Sequence, residues 1–283
     1  MALELIRSTF KDGVVKNAVM EFFGPGVANL SMDYRSGIDV MTTETTCLSS
    51  IWPADHTLKA HLAVLGRGEA FKPQAPADGA YYDGLIEVEL DKIRPMIALP
   101  FHPSNAYTIK EFKENMDELL HQVDEDTVRQ LKLKNRPASL REKIVDGKFR
   151  VDQGVIAGCS GGTYQNIVRA AQILDGRAIG SGEFWLSVYP TSQPVNLELT
   201  RRGYIASLMA AGAPSAPASA APASARATCP PTGLSPSVTP PVTSPTGRGA
   251  SPPTAGVLRG LMDARSIAAT ALNGACSPGP TSC

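Results

Sequence analysis

A buried strand, a glycine-rich turn and a helix are encoded in one continuous segment, Gly154-Val155-Ile156-Ala157-Gly158-Cys159-Ser160-Gly161-Gly162-Thr163-Tyr164-Gln165-Asn166-Ile167. The apolar run up to Ile156 predicts the strand, and the glycines after it predict the turn. A second segment of the same kind follows, with a strand over 184–189, a turn over 190–194 and a helix over 195–211. Because two strand-turn-helix units follow one another, we predict parallel strands and an α/β fold.

The residues before this segment predict further strands and helices. Their patterns indicate strands over 14–23, 82–90 and 96–99, helices over 31–50 and 110–130, and a hairpin at Asp146-Gly147. Thr108 and Glu111 have the spacing of a capping box at the start of a helix. An Asp-Gly pair between two apolar strands is typical of a two-residue hairpin turn. These elements together predict one α/β region over residues 1–213.

The composition changes sharply after residue 213. From Pro214 to Gly256, 37 of the 43 residues are Pro, Ala, Ser, Thr or Gly, and none is acidic or aromatic. Such a segment cannot bury enough apolar surface to offset the entropy lost on ordering, so we predict a disordered tail over 214–256. Residues 257–283 predict a short helix-like segment with no core of its own, followed by a polar tail.

Charge, hydropathy and cysteine content exclude several classes of protein. Basic and acidic residues are equal at 27 each, which argues against nucleic acid or an anionic membrane surface as a partner. No run of 18 apolar residues and no secretion signal is present, so we predict neither a membrane span nor export. The odd, irregularly spaced cysteines argue against a disulfide framework and favour the cytoplasm. They are Cys47, Cys159, Cys229, Cys276 and Cys283.

Cys159 is a candidate functional residue because of its place in the turn. Ligands of parallel sheets bind beyond the carboxyl ends of the strands, and the start of a helix favours a thiolate over a thiol. A thiolate there serves as a nucleophile or as a metal ligand; the alternative is a small residue that only fits a tight turn. All four histidines precede Cys159, whereas elbow-type hydrolases place their histidine after the nucleophile. A cysteine hydrolase is therefore disfavoured.

Five blocks of sequence resemble the aconitase family in the same order. They are Gly24-Pro-Gly-Val-Ala-Asn-Leu-Ser31, Met41-Thr-Thr-Glu44 with the residues up to His56, Ala98-Leu-Pro-Phe-His-Pro-Ser104, Ile156-Ala-Gly-Cys-Ser-Gly-Gly162 and Leu261-Met-Asp-Ala-Arg-Ser-Ile-Ala-Ala-Thr270. The resemblance is greatest to a bacterial branch of hydratases. It implies an aconitase-type three-layer α/β domain and a hydro-lyase that dehydrates and rehydrates a small polycarboxylate such as citrate or isocitrate.

The same resemblance implies a [4Fe-4S] cluster held by three cysteines, with one open iron acting as a Lewis acid. Cys159 matches the first of the cluster cysteines, so the resemblance makes it an iron ligand. Glu44 matches the glutamate near the open iron, where a carboxyl group holds or protonates the departing water. The alternative for Glu44 is a helix carboxylate that faces solvent. Ser160-Gly161 stands where the family has Thr-Asn, and no residue matches the family's catalytic base.

Other features of the family have no counterpart in the sequence. These are the Cys-x-x-Cys pair, the substrate-binding arginines, the upstream α/β domain and the swivelling C-terminal domain. We interpret the chain as an internal fragment with compensating frameshifts after Ala213; a genuine disordered linker is the alternative. The later cysteines then lie in segments too disordered to be preorganised ligands, and we predict an inactive chain that does not hold the cluster.

Two other functions stay open. One is a non-catalytic α/β protein whose Pro-rich tail binds partners. The other is an isopropylmalate-type dehydratase, because the residues that would distinguish the substrates are missing from the sequence.

Overall fold

The computed structural model describes residues 1–132, 139–179, 184–215, 237–238, 259–274 and 276. The chain divides into two compact units, Met1–Ile93 and Arg94–Cys283. Each unit combines helices with short strands and has buried apolar residues of its own.

The first unit is a small mixed structure. Its helices and strands, in chain order, are α1 (Ala2–Thr9), β1 (Val19–Glu21), α2 (Met32–Thr42), β2 (Ser49–Ile51) and α3 (His56–Val64). Single 3-10 turns are found at Pro25–Asn29, Thr43–Thr45, Gly68–Ala70 and Leu90–Lys92. β1 and β2 pair in parallel, and Leu5, Val15 and Met20 form a small core.

A buried ion pair joins α2 to the start of α3. Arg35 on α2 is 1% exposed and donates to both carboxylate oxygens of Asp55, at 3.0 and 2.6 Å. Its guanidinium also donates to the carbonyls of Val27 and Leu30, at 2.9 and 3.0 Å. Asp55 in turn caps α3 by accepting from two of its first amides. These hydrogen bonds satisfy the buried guanidinium and connect three segments of the unit.

The second unit contains the larger sheet. Its elements are β3 (Met96–Ala98), β4 (Ala106–Thr108), α4 (Ile109–Glu114), α5 (Met116–Leu131), β5 (Ile144–Val145), β6 (Lys148–Phe149), β7 (Gln153–Ile156), α6 (Gly158–Gly161), α7 (Tyr164–Leu174), β8 (Trp185–Val188), α8 (Gln193–Arg201), α9 (Tyr204–Ala210), β9 (Ser237–Val238), β10 (Arg259–Met262) and α10 (Ala264–Asn273), with a 3-10 turn at Leu140–Lys143. In the described part of the chain the sheet has six strands in the order β4-β3-β10-β9-β7-β8.

The predicted α/β fold with parallel strands is confirmed. β7 and β8 pair in parallel with Ile156 opposite Val188, and β9 and β10 continue the parallel set. β3 runs antiparallel to both β10 and β4. The hairpin is confirmed as well, since Asp146 and Gly147 join β5 to β6 with φ values of 51° and 70°. The Thr108–Glu111 capping box begins α4 as predicted.

The predicted strand over 82–90 is wrong. These residues form no strand, and a 3-10 turn begins at Leu90. The alternating pattern predicted a buried apolar face, but the side chain of Leu85 is 76% exposed. The strand predicted over 14–23 is shortened to β1. Alternation supplies an apolar face, but a strand also requires a partner strand and a surface to cover.

Three predicted helices are shorter than expected or divided. The helix expected over 31–50 ends at Thr42, and Thr46 then adopts a left-handed conformation with φ 63°. The helix expected over 110–130 divides at Asn115, and the one expected over 195–211 divides at Gly203, which has φ 81°. A residue at positive φ cannot continue a right-handed helix, which explains two of the three breaks.

The segment after residue 257, predicted to have no core of its own, packs into the main core of the second unit. β10 lies inside the sheet between β3 and β9, and α10 packs against α7. Ile267 and Ala268 on α10 are 3% and 0% exposed. α10 approaches β7 so closely that a Cβ on Gly154 would lie 3.0 Å from Ile267 and 2.8 Å from Phe184. Because its helix and strand both have partners, the segment contributes to the main core.

The prediction of a disordered tail falls mostly outside the described residues. Within 214–256, the structure describes Pro214, Ser215 and the short strand β9. The prediction therefore stays a prediction for the rest of that segment. Cys276, expected in a disordered tail, is 4% exposed, and its amide donates to the Phe149 carbonyl at 2.9 Å. This expectation is corrected because the residue packs against the hairpin formed by β5 and β6.

Candidate functional site

Cys159 lies in the turn that follows β7. Gly158 has φ 81°, which turns the chain away from the strand, and the Gly162 amide closes the turn by donating to the Gly158 carbonyl at 3.0 Å. Cys159 is exposed in this turn. The thiol is thus at the carboxyl edge of the parallel strands, where ligands of such sheets bind.

Thr163 follows in the same turn and begins α7. It is 6% exposed, and its side chain makes no capping hydrogen bond to the helix. Within the described residues its Oγ1 has no hydrogen-bond partner at all. A buried hydroxyl that lacks a partner is costly and calls for an explanation.

The register of the sheet brings a second segment to this edge. β9 pairs Ser237 with both Gln153 and Arg259, so β7 and β10 end at the same level. Asp263 directly follows β10 and caps α10, accepting from the amides of Arg265 and Ser266 at 3.0 and 3.2 Å. Neither Asp263 nor Arg265 is among the site residues predicted from the sequence. The available signal was an aspartate immediately after an apolar strand and before a helical repeat.

Glu44 lies in the first unit, in the 3-10 turn Thr43–Thr45. Its side chain is partly buried, and this burial raises the pKa of the carboxyl group above its ordinary value. The buried Thr45 hydroxyl and the Cys47 thiol both donate to the Thr42 carbonyl, at 2.6 and 3.4 Å. The turn is therefore held by local hydrogen bonds, and its carboxyl group has a higher pKa than an ordinary glutamate because burial disfavours the charged form.

Glu44 and Cys159 belong to different units, and each is placed within its own unit. Their predicted participation in one site therefore stays a prediction. Burial raises the pKa of the Glu44 carboxyl group, and Cys159 has an exposed thiol.

His102 lies at the opposite edge of the sheet from Cys159. It follows β3, which runs antiparallel to β10, so the loop after β3 is at the edge where β10 begins. The His102 Nδ1 accepts from the Ser104 amide at 3.1 Å, and burial lowers the pKa of the imidazole. This placement separates His102 from the Cys159 turn and agrees with the rejection of a cysteine hydrolase.

Within the second unit, the described cysteines do not form a [4Fe-4S] site. Such a cluster requires three thiolates around one small volume. Cys276 follows the far end of α10, about 15 Å along that helix from the edge that Cys159 occupies. Burial raises the pKa of the Cys276 thiol to about 12. Cys229 and Cys283 lie outside the described residues.

The other potential metal ligands in the described residues agree with this. That part of the chain contains no group of three or more His, Cys, Asp or Glu side chains that could hold a metal ion. Over the same residues, no helix has the length and apolar character needed to cross a bilayer.

Comparison with known proteins places the chain in a family. Residues 1–221 match the family described as the aconitase family (aconitate hydratase). The chain belongs to the aconitase family. The resemblance noted in the sequence is thereby confirmed, and the match covers the first unit and the second as far as the residues after α9.

Three relatives illustrate the breadth of the family. The chain is 30% identical to the 3-isopropylmalate dehydratase large subunit of a Nitratiruptor species and 27% identical to the 2,3-dimethylmalate dehydratase large subunit of Eubacterium barkeri. Each match covers 75% of this chain and 42% of the relative. It is 29% identical to the mitochondrial aconitate hydratase of Schizosaccharomyces pombe, covering 72% of this chain and 23% of that protein. The chain thus spans less than half the length of these relatives.

Proposed function

We propose that this chain is the part of an aconitase-type hydro-lyase that carries Glu44 and Cys159. The reaction is the dehydration and rehydration of a small hydroxy-polycarboxylate. The observation that carries the proposal is the exposed Cys159 thiol at the carboxyl edge of parallel strands, in a chain of the aconitase family. This is where a sheet of this type binds its ligands.

Glu44 is proposed to handle the proton of the leaving water. In dehydration a base outside the residues matched here takes a proton from one carbon, that electron pair forms the C=C bond, and the C–O bond on the adjacent carbon breaks. The departing hydroxyl takes up a second proton, from Glu44, and leaves as water. Partial burial raises the pKa of Glu44, so the carboxyl group holds a proton closer to neutral pH than an ordinary glutamate does. In the hydration direction the same carboxylate takes the proton back from water.

The relation of this chain to the family's iron-sulfur cluster follows from its cysteines. In the second unit the described residues supply one cysteine thiol at the Cys159 edge, whereas a cube bound in the family manner requires three thiolates. No chemical step is therefore assigned to the cluster here. We propose that the chain alone does not hold a cluster and has no hydratase activity.

Anaerobic reconstitution tests this part of the proposal. After incubation with iron and sulfide and removal of the excess, the chain should retain much less than four iron atoms per molecule and show no broad visible absorption. The Cys159→Ser variant should behave like the unaltered chain. Stoichiometric iron and sulfide that disappear in Cys159→Ser would contradict the proposal.

The substrate class follows from the relatives. Their names assign isopropylmalate, dimethylmalate and aconitate to those proteins, and all three are small polycarboxylates. We propose a citrate- or isocitrate-like substrate. An isopropylmalate-type substrate is the second candidate, favoured by the relatives with the larger coverage.

A completed protein tests the catalytic roles. Residues 1–213 would be joined to the regions of an aconitase-family relative that this chain lacks, and hydration of aconitate and dehydration of isopropylmalate would be assayed. Glu44→Gln and Cys159→Ser should each lower kcat by at least about 100-fold. Glu87→Gln is the control, since Glu87 is an exposed glutamate of the same unit as Glu44, and it should leave kcat unchanged. If the completed protein is folded and active, and Glu44→Gln and Cys159→Ser leave its kcat unchanged, the non-catalytic alternative for this chain is favoured.

We also propose a cytoplasmic location. Cys47, Cys159 and Cys276 are all free thiols in the structure, as expected in a reducing compartment. Thiol labelling of lysates prepared under acid quench should find these residues reduced in the cell.

A further inference from the structure

Side chains join the two ends of the segment that carries Glu44. The segment leaves α2 at Thr42, forms the turn Thr43–Thr45 and reaches β2 at Ser49. Ser50 on β2 is hydrogen-bonded to Thr42, with 3.1 Å between the two hydroxyl oxygens. Because this bond closes the loop over residues 42–50, the turn has less conformational freedom than an unclosed loop.

Asp39 extends this network into the body of α2. Its carboxylate accepts a hydrogen bond from the Ser50 hydroxyl, and its carbonyl accepts from the Thr42 hydroxyl at 2.6 Å. A hydroxyl has one proton to donate, so Ser50 donates to Asp39 and accepts from Thr42. Thr42 is 3% exposed, which shields these bonds from competing water. The three side chains thus form one network between α2 and β2.

Thr42 connects the network to the turn. Its carbonyl accepts from the Thr45 hydroxyl at 2.6 Å and from the Cys47 thiol at 3.4 Å, so both of these later residues are fixed relative to it. Glu44 lies between Thr42 and Thr45 in the chain. A displacement of Thr42 therefore displaces the Glu44 carboxyl group as well.

We propose that Ser50 and Asp39 are positioning residues for Glu44. They act through Thr42 and not by contact with the substrate. The network keeps the Glu44 carboxyl group partly buried and in one orientation, as a proton donor to a departing hydroxyl requires. The inference rests on the proposed function for the role of Glu44 and adds the side chains that hold Glu44 in place.

Titration of Glu44 in the full chain tests the inference. The side-chain carboxyl signals of ¹³C-labelled glutamate are followed by NMR, and the signal of Glu44 is the one that Glu44→Gln removes. Ser50→Ala should lower the pKa of Glu44 toward its ordinary value of 4.5, because a loosened turn admits water to the carboxyl group. Ser50→Thr keeps the hydroxyl and suits a strand, so it should restore the pKa of the unaltered chain.

Ser49→Ala is the matched control. Ser49 is the exposed serine next to Ser50 on β2, so its replacement should leave the pKa of Glu44 unchanged. The charged side chains on the helices that contact the turn are the same in these three variants; they are Glu4 and Arg7 on α1 and Asp33, Arg35 and Asp39 on α2.

The titration separates positioning from stability. It is made without denaturant on the folded chain, so a lower free energy of unfolding does not by itself move the signal. If Ser50→Ala does not fold, Thr42→Val is measured instead, since it keeps the shape and removes the hydroxyl. A pKa of Glu44 that is equal in the unaltered chain and in the folded variant overturns the inference.

The completed protein gives a second measurement. Ser50→Ala should lower kcat by about tenfold and leave KM within about twofold, because the proton donor loses its orientation while substrate contacts are kept. Ser50→Thr should recover most of kcat. If Glu44→Gln lowers kcat and Ser50→Ala does not, the inference is overturned. If Glu44→Gln leaves kcat unchanged, the proposed function fails, and the titration of the full chain still decides whether Ser50 positions Glu44.

Discussion

The carbonyl of Gly162 accepts a hydrogen bond from the amide of Thr191 at 2.8 Å. This bond joins the turn after β7 to the turn after β8, so the two loops at the carboxyl edge of the sheet hold each other in place. The approach is very close, because a Cβ on Gly162 would lie 2.5 Å from the Tyr189 carbonyl and 2.9 Å from the Gly158 carbonyl. Only glycine fits between these backbone atoms.

Gly162→Ala should therefore destabilise the second unit. Overpacking against rigid backbone should lower the free energy of unfolding by about 1–3 kcal/mol, measured by urea denaturation. The same variant should displace the Cys159 turn and increase proteolysis there. Gly84→Ala is the control, because its Cβ would meet nothing within 4 Å. Equal stability of the two variants would contradict the close approach.

Asp55→Asn should destabilise the first unit strongly. The substitution leaves the Arg35 guanidinium buried without its carboxylate, at a cost of about 3–5 kcal/mol in the free energy of unfolding. Asp117→Asn is a matched comparison, since Asp117 also pairs with an arginine, Arg141, through two bonds of 2.7 Å. That pair is exposed, so its loss should change stability little.

The effect of Asp55 should depend on pH in a defined direction. The hydrogen bond from Arg35 lowers the pKa of Asp55 below its ordinary value of 3.8. The stability that the carboxylate contributes is therefore present above that value and is lost as the pH falls through the lowered pKa. In urea denaturation, the difference between the unaltered chain and Asp55→Asn should shrink below about pH 4. A difference constant down to strongly acidic pH would contradict this.

Glu44→Gln should show the opposite pH dependence. Burial raises the pKa of Glu44 above 4.5, so the carboxyl group binds its proton more tightly in the folded chain than in the unfolded chain. Any stability from that group is complete below pH 4.5 and is lost as the pH rises through the raised pKa. Glutamine mimics the neutral form, so the variant should be relatively more stable at neutral pH and should converge with the unaltered chain in acid. In urea denaturation at both pH values, a variant less stable than the unaltered chain at neutral pH would contradict this.

The two described cysteines of the second unit, Cys159 and Cys276, should differ greatly in reactivity. Cys159 is exposed, whereas Cys276 is 4% exposed and burial raises its pKa to about 12. Iodoacetamide should label Cys159 in the folded chain and Cys276 only after unfolding, as read by mass spectrometry of the two peptides. Cys276→Ser should lower the free energy of unfolding by about 1–3 kcal/mol, because it buries a hydroxyl in an apolar site. Rapid labelling of Cys276 in the folded chain would show that its packing is wrong.

Local chemistry allowed several features to be predicted from the sequence. The Asp146-Gly147 turn, the Thr108–Glu111 capping box and the strand-turn-helix around Cys159 each depend on residues close together in the chain. Their backbone preferences act over three or four residues, so adjacent sequence is sufficient. The parallel pairing of β7 and β8 followed from their connecting helix.

Contacts between distant residues could not be predicted in this way. The segment around α10 reads as an isolated helix, yet β10 pairs with β3 from more than 160 residues earlier, and Ile267 packs over Gly154. Because β10 pairs in this way, Arg265 lies at the edge of the sheet that Cys159 occupies. Cys276 follows the other end of α10 and is buried there. The strand expected over 82–90 failed for the converse reason, since its alternating residues have no partner strand. Periodicity indicates which face of a helix or strand is apolar. Whether that face is buried, and which strand pairs with which, depends on the surface that covers it, and this surface forms only when the chain folds.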